Sequence, residues 1–386
     1  MNNKKLIFKT IDFIRELHKK PSGSIPLHAP VFIGKEREYL NECIDSTFVS
    51  SVGKYVDKFE DMICEFTGAK RAIATVNGTS ALHIALKISG IKANDEVLTQ
   101  PLTFIATANA ISYTGAHPIF IDVDCDTLGL SPKSLEHWLN ENSVYKDGKS
   151  FNLKTGNHIS TCVPMHTFGF PCRIEEIVSV CSERGINVIE DAAESLGSFV
   201  GRKHTGLFGK LGILSFNGNK IVTTGGGGMI ITDDNELADL AKHITTTAKV
   251  PHLWEYRHDM IGYNYRMPNI NAALGCAQME SMCEFLKAKR LIAERYFEYF
   301  KHINEIRFIK EPSGTRANYW LNTIILEDKN ERDVFLKMTN ENKVNTRPIW
   351  TLMNQLEMYK NNQCGELTNS NWLEKRILNL PSGVNL

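Results

Sequence analysis

The 386-residue chain has no surplus of either charge: 44 Lys+Arg stand against 44 Asp+Glu, scattered along its length. That excludes the basic footprint of a nucleic-acid-binding protein. It also has no C-x-x-C pair. Its nine cysteines, an odd number, fall at Cys43, Cys64, Cys125, Cys162, Cys172, Cys181, Cys276, Cys283 and Cys364. Such spacing argues against a disulfide framework and a zinc site, so reduced thiols in a cytoplasmic protein, and no metal, are expected. Apolar runs stop short of a bilayer span, and Asp12 and Glu16 interrupt any signal-peptide core, so no membrane contact is expected. Internal repeats and low-complexity tracts are absent.

What is present is length enough for one large domain of about 200 to 250 residues plus a smaller one. A short amphipathic helix is expected over residues 10–20, ended by Pro21-Ser22-Gly23-Ser24 and followed by an extended arm, Ile25 to Ile33. Helical spacing continues over Lys35 to Thr47 and Lys54 to Thr67, the second closed by Gly68. From Arg71 onward strand, Gly-containing turn and helix repeat, which predicts an α/β domain with a mostly parallel sheet. Residues 140–157 read as a loop or β-hairpin insertion. A long helix is expected from Asn271 to Phe300, then a smaller C-terminal α+β domain. The divisions read from this pattern are 1–26, 27–260 and 261–386.

Three stretches point to chemistry. Asn77-Gly78-Thr79-Ser80 follows a strand and opens a helix, where free N–H groups and hydroxyls can seat a phosphate; an ordinary N-cap from Thr79 or Ser80 is the plainer reading. Asn187 to Asp191 is a buried-strand run whose last acid, Asp191, points into the crevice beyond the sheet while Glu190 faces the other way. Asp191 could hold a pyridinium N–H, or a metal, though further ligands at metal spacing are missing. Ser215-Phe-Asn-Gly-Asn-Lys220, followed by Gly225 to Gly228, presents Lys220 as a placed amine rather than a solvated charge. Phe104 follows another strand and could lie on a flat cofactor, although a core phenylalanine is as plain a reading.

These motifs, with Glu190-Asp-Ala-Ala-Glu-Ser195 and Gly262-Tyr-Asn-Tyr-Arg266, resemble in order and spacing the DegT/DnrJ/EryC1/StrS family of nucleotide-sugar aminotransferases. The resemblance runs from about Ile25 to Leu386. It implies the aspartate-aminotransferase-like fold, pyridoxal 5'-phosphate as cofactor, glutamate and a nucleotide-linked keto sugar as substrates, and a homodimer with shared active sites. Lys220 matches the family's Schiff-base lysine, Asp191 its pyridine partner and Phe104 its ring-stacking aromatic. Thr79 and Ser80 match the phosphate-binding turn, Ser215 another phosphate contact, Asn264 a phosphate contact from the neighbouring subunit, and Glu194 a position near the cofactor's hydroxyl and the substrate; Gly78 and Asn217 are further cofactor-binding positions. His166, Arg347 and Trp350 are further candidates for the substrate, with a buried structural histidine, a surface arginine and a core tryptophan as their plainer readings. Gly226 stands where many members have glutamate.

The whole pattern, with Thr346-Arg-Pro-Ile-Trp350 and the closing Leu380 to Leu386, looks most like LegC-type members. The implied substrate is a UDP-linked 4-keto-6-deoxy-N-acetylhexosamine for legionaminic-acid-type sugars. A perosamine-, bacillosamine- or 3-amino-sugar substrate is the alternative. A sugar dehydratase of this fold replaces the lysine with histidine, and a regulatory protein would be favoured by loss of Lys220 or Asp191; both residues are present.

Overall fold

In the computed structural model, which describes residues 2–384, strand and helix alternate through the first two thirds of the chain. The strands are β1 (Arg71–Thr75), β2 (Glu96–Thr99), β3 (His117–Phe120), the hairpin β4 (Ser143–Lys146) and β5 (Lys149–Asn152), β6 (His158–Val163), β7 (Asn187–Asp191), the short pair β8 (Phe199–Val200) and β9 (Lys203–His204), β10 (Leu211–Ser215) and β11 (Gly228–Thr232). The helices of this part are α1 (Asn2–Leu17), α2 (Glu36–Asp45), α3 (Lys54–Thr67), α4 (Gly78–Ile88), α5 (Ile105–Tyr113), α6 (Pro132–Asn142), α7 (Ile174–Glu183) and α8 (Asn235–Thr245). The main sheet runs β1-β11-β10-β7-β6-β2-β3, with the β4-β5 hairpin joined to β6. Strands β10, β7, β6, β2 and β3 are parallel, whereas β11 runs antiparallel to both neighbours. Nearly every residue of the central strands is buried, so helices must cover both faces. The doubly covered sheet sends the ends of β1, β7 and β10 toward one edge, where its turns are free to hold a ligand.

Local chemistry explains several boundaries. α3 ends at Gly68, whose φ of 81° is left-handed and costs a glycine little. The segment expected as one helix to Phe300 is two, α9 (Asn269–Glu280) and α10 (Met282–Phe300), broken at Ser281. The break is tertiary: α9 packs on α2 and α3, while α10 turns to pack on β12 (Ile306–Phe308). The remaining elements are β13 (Thr315–Arg316), which pairs with β8, β14 (Asn322–Leu326), α11 (Lys329–Glu341), β15 (Arg347–Pro348), α12 (Thr368–Glu374) and β16 (Ile377–Leu380). Strands β12-β14-β16-β15 make a second, antiparallel sheet.

Helix α1 begins at Asn2, well before the expected residue 10, and buries Ile7, Ile11 and Ile14 with Phe335, Leu378 and Leu380 of the second sheet and its helix. The arm that follows lies on this chain's own body. Ile25 bridges Val344, Leu27 accepts from Ser382 N, and Val31 accepts from Gln278 Nε2 at 2.9 Å. The last two residues of the closing motif, Asn385 and Leu386, lie outside the described residues.

Candidate active site

Lys220 is positioned by a tight turn after β10, its N–H donating to the Asn217 carbonyl at 3.0 Å. Its Nζ is 3.2 Å from Glu194 Oε1 and 4.0 Å above the Trp320 ring, largely out of solvent. Glu194 is buried, and its second oxygen accepts from Phe168 N at 2.9 Å. Burial pushes the Glu194 carboxyl up to about 7, with Asp191 adding to the rise, while Lys220 and the Phe168 N–H pull the other way.

Phe168 reaches this geometry with φ 57° and ψ 15°, left-handed values unusual for a phenylalanine and worth on the order of 1 to 3 kcal/mol of strain. Neighbouring contacts hold it. A Cβ on the adjacent Gly169 would overlap the Asn318 side chain, and Asn318 Nδ2 donates to the carbonyls of Glu194 and Leu196, each at 2.9 Å. Trp320 is fixed from both ends, its N–H donating to Asn318 Oδ1 and its Nε1 to the Asn219 carbonyl, both at 2.7 Å.

Asp191 and Glu190 end β7 on opposite faces. Asp191 Oδ2 accepts from Thr107 Oγ1 at 2.7 Å, and Oδ1 from Ala193 N at 3.2 Å. Thr107 lies one helical turn beyond Phe104, the residue that opens α5, and Phe104 keeps 51% of its surface exposed. Glu190 faces the core, where it accepts from the N–H groups of Gly206, Phe208 and Gly209 and bonds His166 Nε2 at 2.9 Å. Cys172 N donates to His166 Nδ1 at 3.2 Å, so the ring is fully buried and both its nitrogens are used. His166 is thereby placed as a structural histidine, turned from the crevice. Arg347 is exposed and bonds Asn340 Oδ1 at 2.8 Å. Trp350 sits between Phe168 and Phe104, with ring centroids 5.1 and 6.3 Å away.

The turn before α4 is capped by Asn77, whose Oδ1 accepts from Ser80 N at 2.7 Å, and not by Thr79 or Ser80. Their hydroxyls and the N–H groups of Gly78 and Thr79 are left for a ligand at the helix N-terminus. Ser215 closes the other side: a Cβ on Gly78 would stand 3.0 Å from Ser215 Cβ. A Cβ on Gly228 would overlap the Asn77 carbonyl and come within 2.6 Å of Gly78 N, which explains the last glycine of the run. Asn217 is exposed, its Nδ2 3.3 Å from Asn219 Oδ1. Asn264 is exposed on a segment that bridges Thr246 and, through Arg266, Thr75.

A phosphate cradle that a Cβ would fill, an acid at the end of β7, an exposed aromatic face and a shielded amine fit pyridoxal phosphate. Thr107, Phe168, Asn318 and Trp320 were not singled out in the sequence. Thr107 could have been found one turn after Phe104; the other three arrive from distant segments with no local motif.

Comparison with known proteins gives the same picture. Over 336 residues the chain is 40% identical to a GDP-perosamine synthase of Escherichia coli O157:H7, covering 87% of each chain. EpsN of Bacillus subtilis (strain 168), named for pyridoxal phosphate-dependent aminotransfer, is 36% identical over 96% of this chain and 92% of its own. The crystal structure of the aminotransferase TlmJ from Streptoalloteichus hindustanus superposes with a TM-score of 0.84 at 26% identity, covering 93% of this chain and 94% of that one. The family model for DegT/DnrJ/EryC1/StrS aminotransferases matches residues 32–386, and the chain belongs to that family as a pyridoxal-phosphate-dependent sugar aminotransferase.

Proposed function

We propose that this enzyme aminates the ketone of a GDP-linked 4-keto-6-deoxy sugar, giving a GDP-perosamine-type product with glutamate as amino donor. The placed amine of Lys220 between Glu194 and Trp320 carries the reading, in a chain 40% identical to a GDP-perosamine synthase. The UDP-linked, legionaminic-type substrate implied by the sequence pattern gives way to the GDP-linked alternative because of that relative.

Bound pyridoxal phosphate supplies an electron-withdrawing ring that accepts the charge left when a proton departs beside the transferred nitrogen. Asp191, fixed by Thr107, would hold the ring nitrogen's proton. Thr79, Ser80 and Ser215, with the N–H groups of the α4 turn, would bind the phosphate, and Phe104 would offer its face to the ring. Lys220 would anchor the cofactor and supply the amine that moves a proton to and from the reacting carbon. Glu194 takes up or returns the proton that Lys220 exchanges, and Trp320 and Phe168 keep water from the amine. Asn217, Arg347 and Trp350 remain candidates at the rim of the site.

The exposed segment from Leu253 to Ile261, with Trp254 74% exposed, supports a partner surface beside Asn264, so a homodimer with shared sites is part of the proposal. Purified enzyme should be incubated with pyridoxal phosphate, glutamate and a panel of GDP-, UDP- and dTDP-linked keto sugars. Release of 2-oxoglutarate with the GDP-linked sugar is expected; turnover confined to a UDP-linked sugar would return the assignment to the legionaminic type.

A further inference from the structure

Trp320, which covers the reacting amine, ends a strained loop that α10 grips on both sides. Tyr319 adopts a φ of 51°, a left-handed value that a bulky residue keeps only where its surroundings fix it. Successive residues of α10 do so: Arg290 Nη1 donates to the Ala317 carbonyl at 2.8 Å, and Lys289 Nζ to the Trp320 carbonyl at 3.2 Å. Arg290 is also paired with the Glu311 carboxylate, both of its contacts at 2.8 Å. Lys289 has no such counter-ion among the described residues. It has no exposed surface, its other neighbours are the Ser382 carbonyl at 2.7 Å and His28 Nε2 at 3.0 Å, and burial lowers its amine to about 7. An apolar side chain of the same length would spare that desolvation, so fold stability alone does not account for a lysine here.

What the lysine holds is the indole. Trp320 N donates to Asn318 Oδ1, and its Nε1 to the carbonyl of Asn219, the residue before Lys220, both at 2.7 Å. Lys289 supplies the donor to its third polar group, the carbonyl. With all three held, the ring has little freedom to turn, and Lys220 Nζ rests 4.0 Å from its centre. A reacting amine kept to one place is what a bond-forming step requires.

Resting on the aminotransferase reading, we propose that Lys289 is a positioning residue: through the Trp320 carbonyl it holds the indole beneath Lys220, so that Nζ stands where the cofactor's aldehyde meets it. Amine and aldehyde condense with loss of water, and the rate at which the full-length, cofactor-free enzyme gains the absorbance of lysine-bound pyridoxal phosphate reads that placement. Deoxypyridoxine phosphate, with a methyl group where the cofactor has its aldehyde, reads the rest of the site without the amine. Lys289→Met is expected to slow capture of pyridoxal phosphate by about tenfold or more, as a misplaced reacting group does, and to leave the dissociation constant of deoxypyridoxine phosphate within about twofold of wild type. Trp320→Leu should slow capture likewise, and the double variant should be within about twofold of Trp320→Leu alone, because the lysine acts through the indole. If Lys289→Met does not fold, Lys289→Gln, whose shorter side chain draws its donor back from the Trp320 carbonyl, is held to the same two measurements. Capture at the wild-type rate, equal weakening of both ligands, or effects that multiply in the double variant would overturn the inference, the second outcome leaving Lys289 a purely structural role. A wild-type enzyme that never gains the lysine-bound band would instead overturn the functional reading, and this inference with it.

Discussion

Glu194 combines burial, a cationic neighbour and a backbone donor, and its titration should be visible in stability. Its folded-state carboxyl lies near 7 against an ordinary 4.5, so the folded protein holds the proton more tightly than the unfolded chain. The contribution is fully present below about 4.5 and is lost as pH rises through about 7. Thermal unfolding of wild type and Glu194→Gln should show wild type losing about 1 to 3 kcal/mol more than the variant between pH 5 and pH 8. Equal pH slopes would mean Glu194 stays ionised throughout. Lys220→Ala should lose both turnover and the absorbance of lysine-bound cofactor; a variant retaining that band would remove Lys220 from its role. The strand-end positions of Lys220, Asp191 and Phe104 were legible in the sequence because each sits beside a turn that announces a strand end. Trp320 and Asn318, about a hundred residues beyond Lys220, were not, since only tertiary packing brings the one under the amine and the other against Glu194. His166, which follows a strand, left two readings open in the sequence, and the bond to Glu190 that draws its ring into the core selects the structural one.

Among the elements, the turn from β1 into α4 depends on close backbone approach more than on side chains. Gly228→Val would drive a side chain into the Asn77 carbonyl, and a loss of about 2 kcal/mol or more in urea melts is expected, with weaker retention of pyridoxal phosphate. An unchanged melt would show that β11 can shift away at little cost. Asn318→Ala should behave differently, leaving the Glu194 and Leu196 carbonyls unpaired and freeing Phe168 from its left-handed backbone. A drop of about 2 kcal/mol is expected, together with a shifted pH dependence of the cofactor band, since the peptide holding Glu194 has moved. The limits of α3 and the parallel strand-helix alternation were legible because capping glycines and apolar runs are local signals. The break at Ser281 was not, because neither neighbouring sequence disfavours a helix; what ends α9 is the different body against which α10 must pack.

For the molecule as a whole, Trp254 and Ile261 lie on an exposed apolar segment, and the proposed dimer would cover it. Sedimentation of the wild type should give a dimer, and Trp254→Asp combined with Ile261→Asp a monomer with weakened cofactor binding. A double variant that stays dimeric would place the interface elsewhere. The chain's topology also orders events in time. Helix α1 is made well before its partners on β16, which lie roughly 360 residues later, a wait of roughly 20 to 70 s at about 5 to 20 residues per second. The large sheet can be complete while Ile7, Ile11 and Ile14 still lack their packing surface. Ribosome-bound chains stopped before β16 should therefore be cut by protease within residues 4–17, and chains extended past β16 protected there. Helix α1 acts as a clasp that cannot shut until β16 has been made.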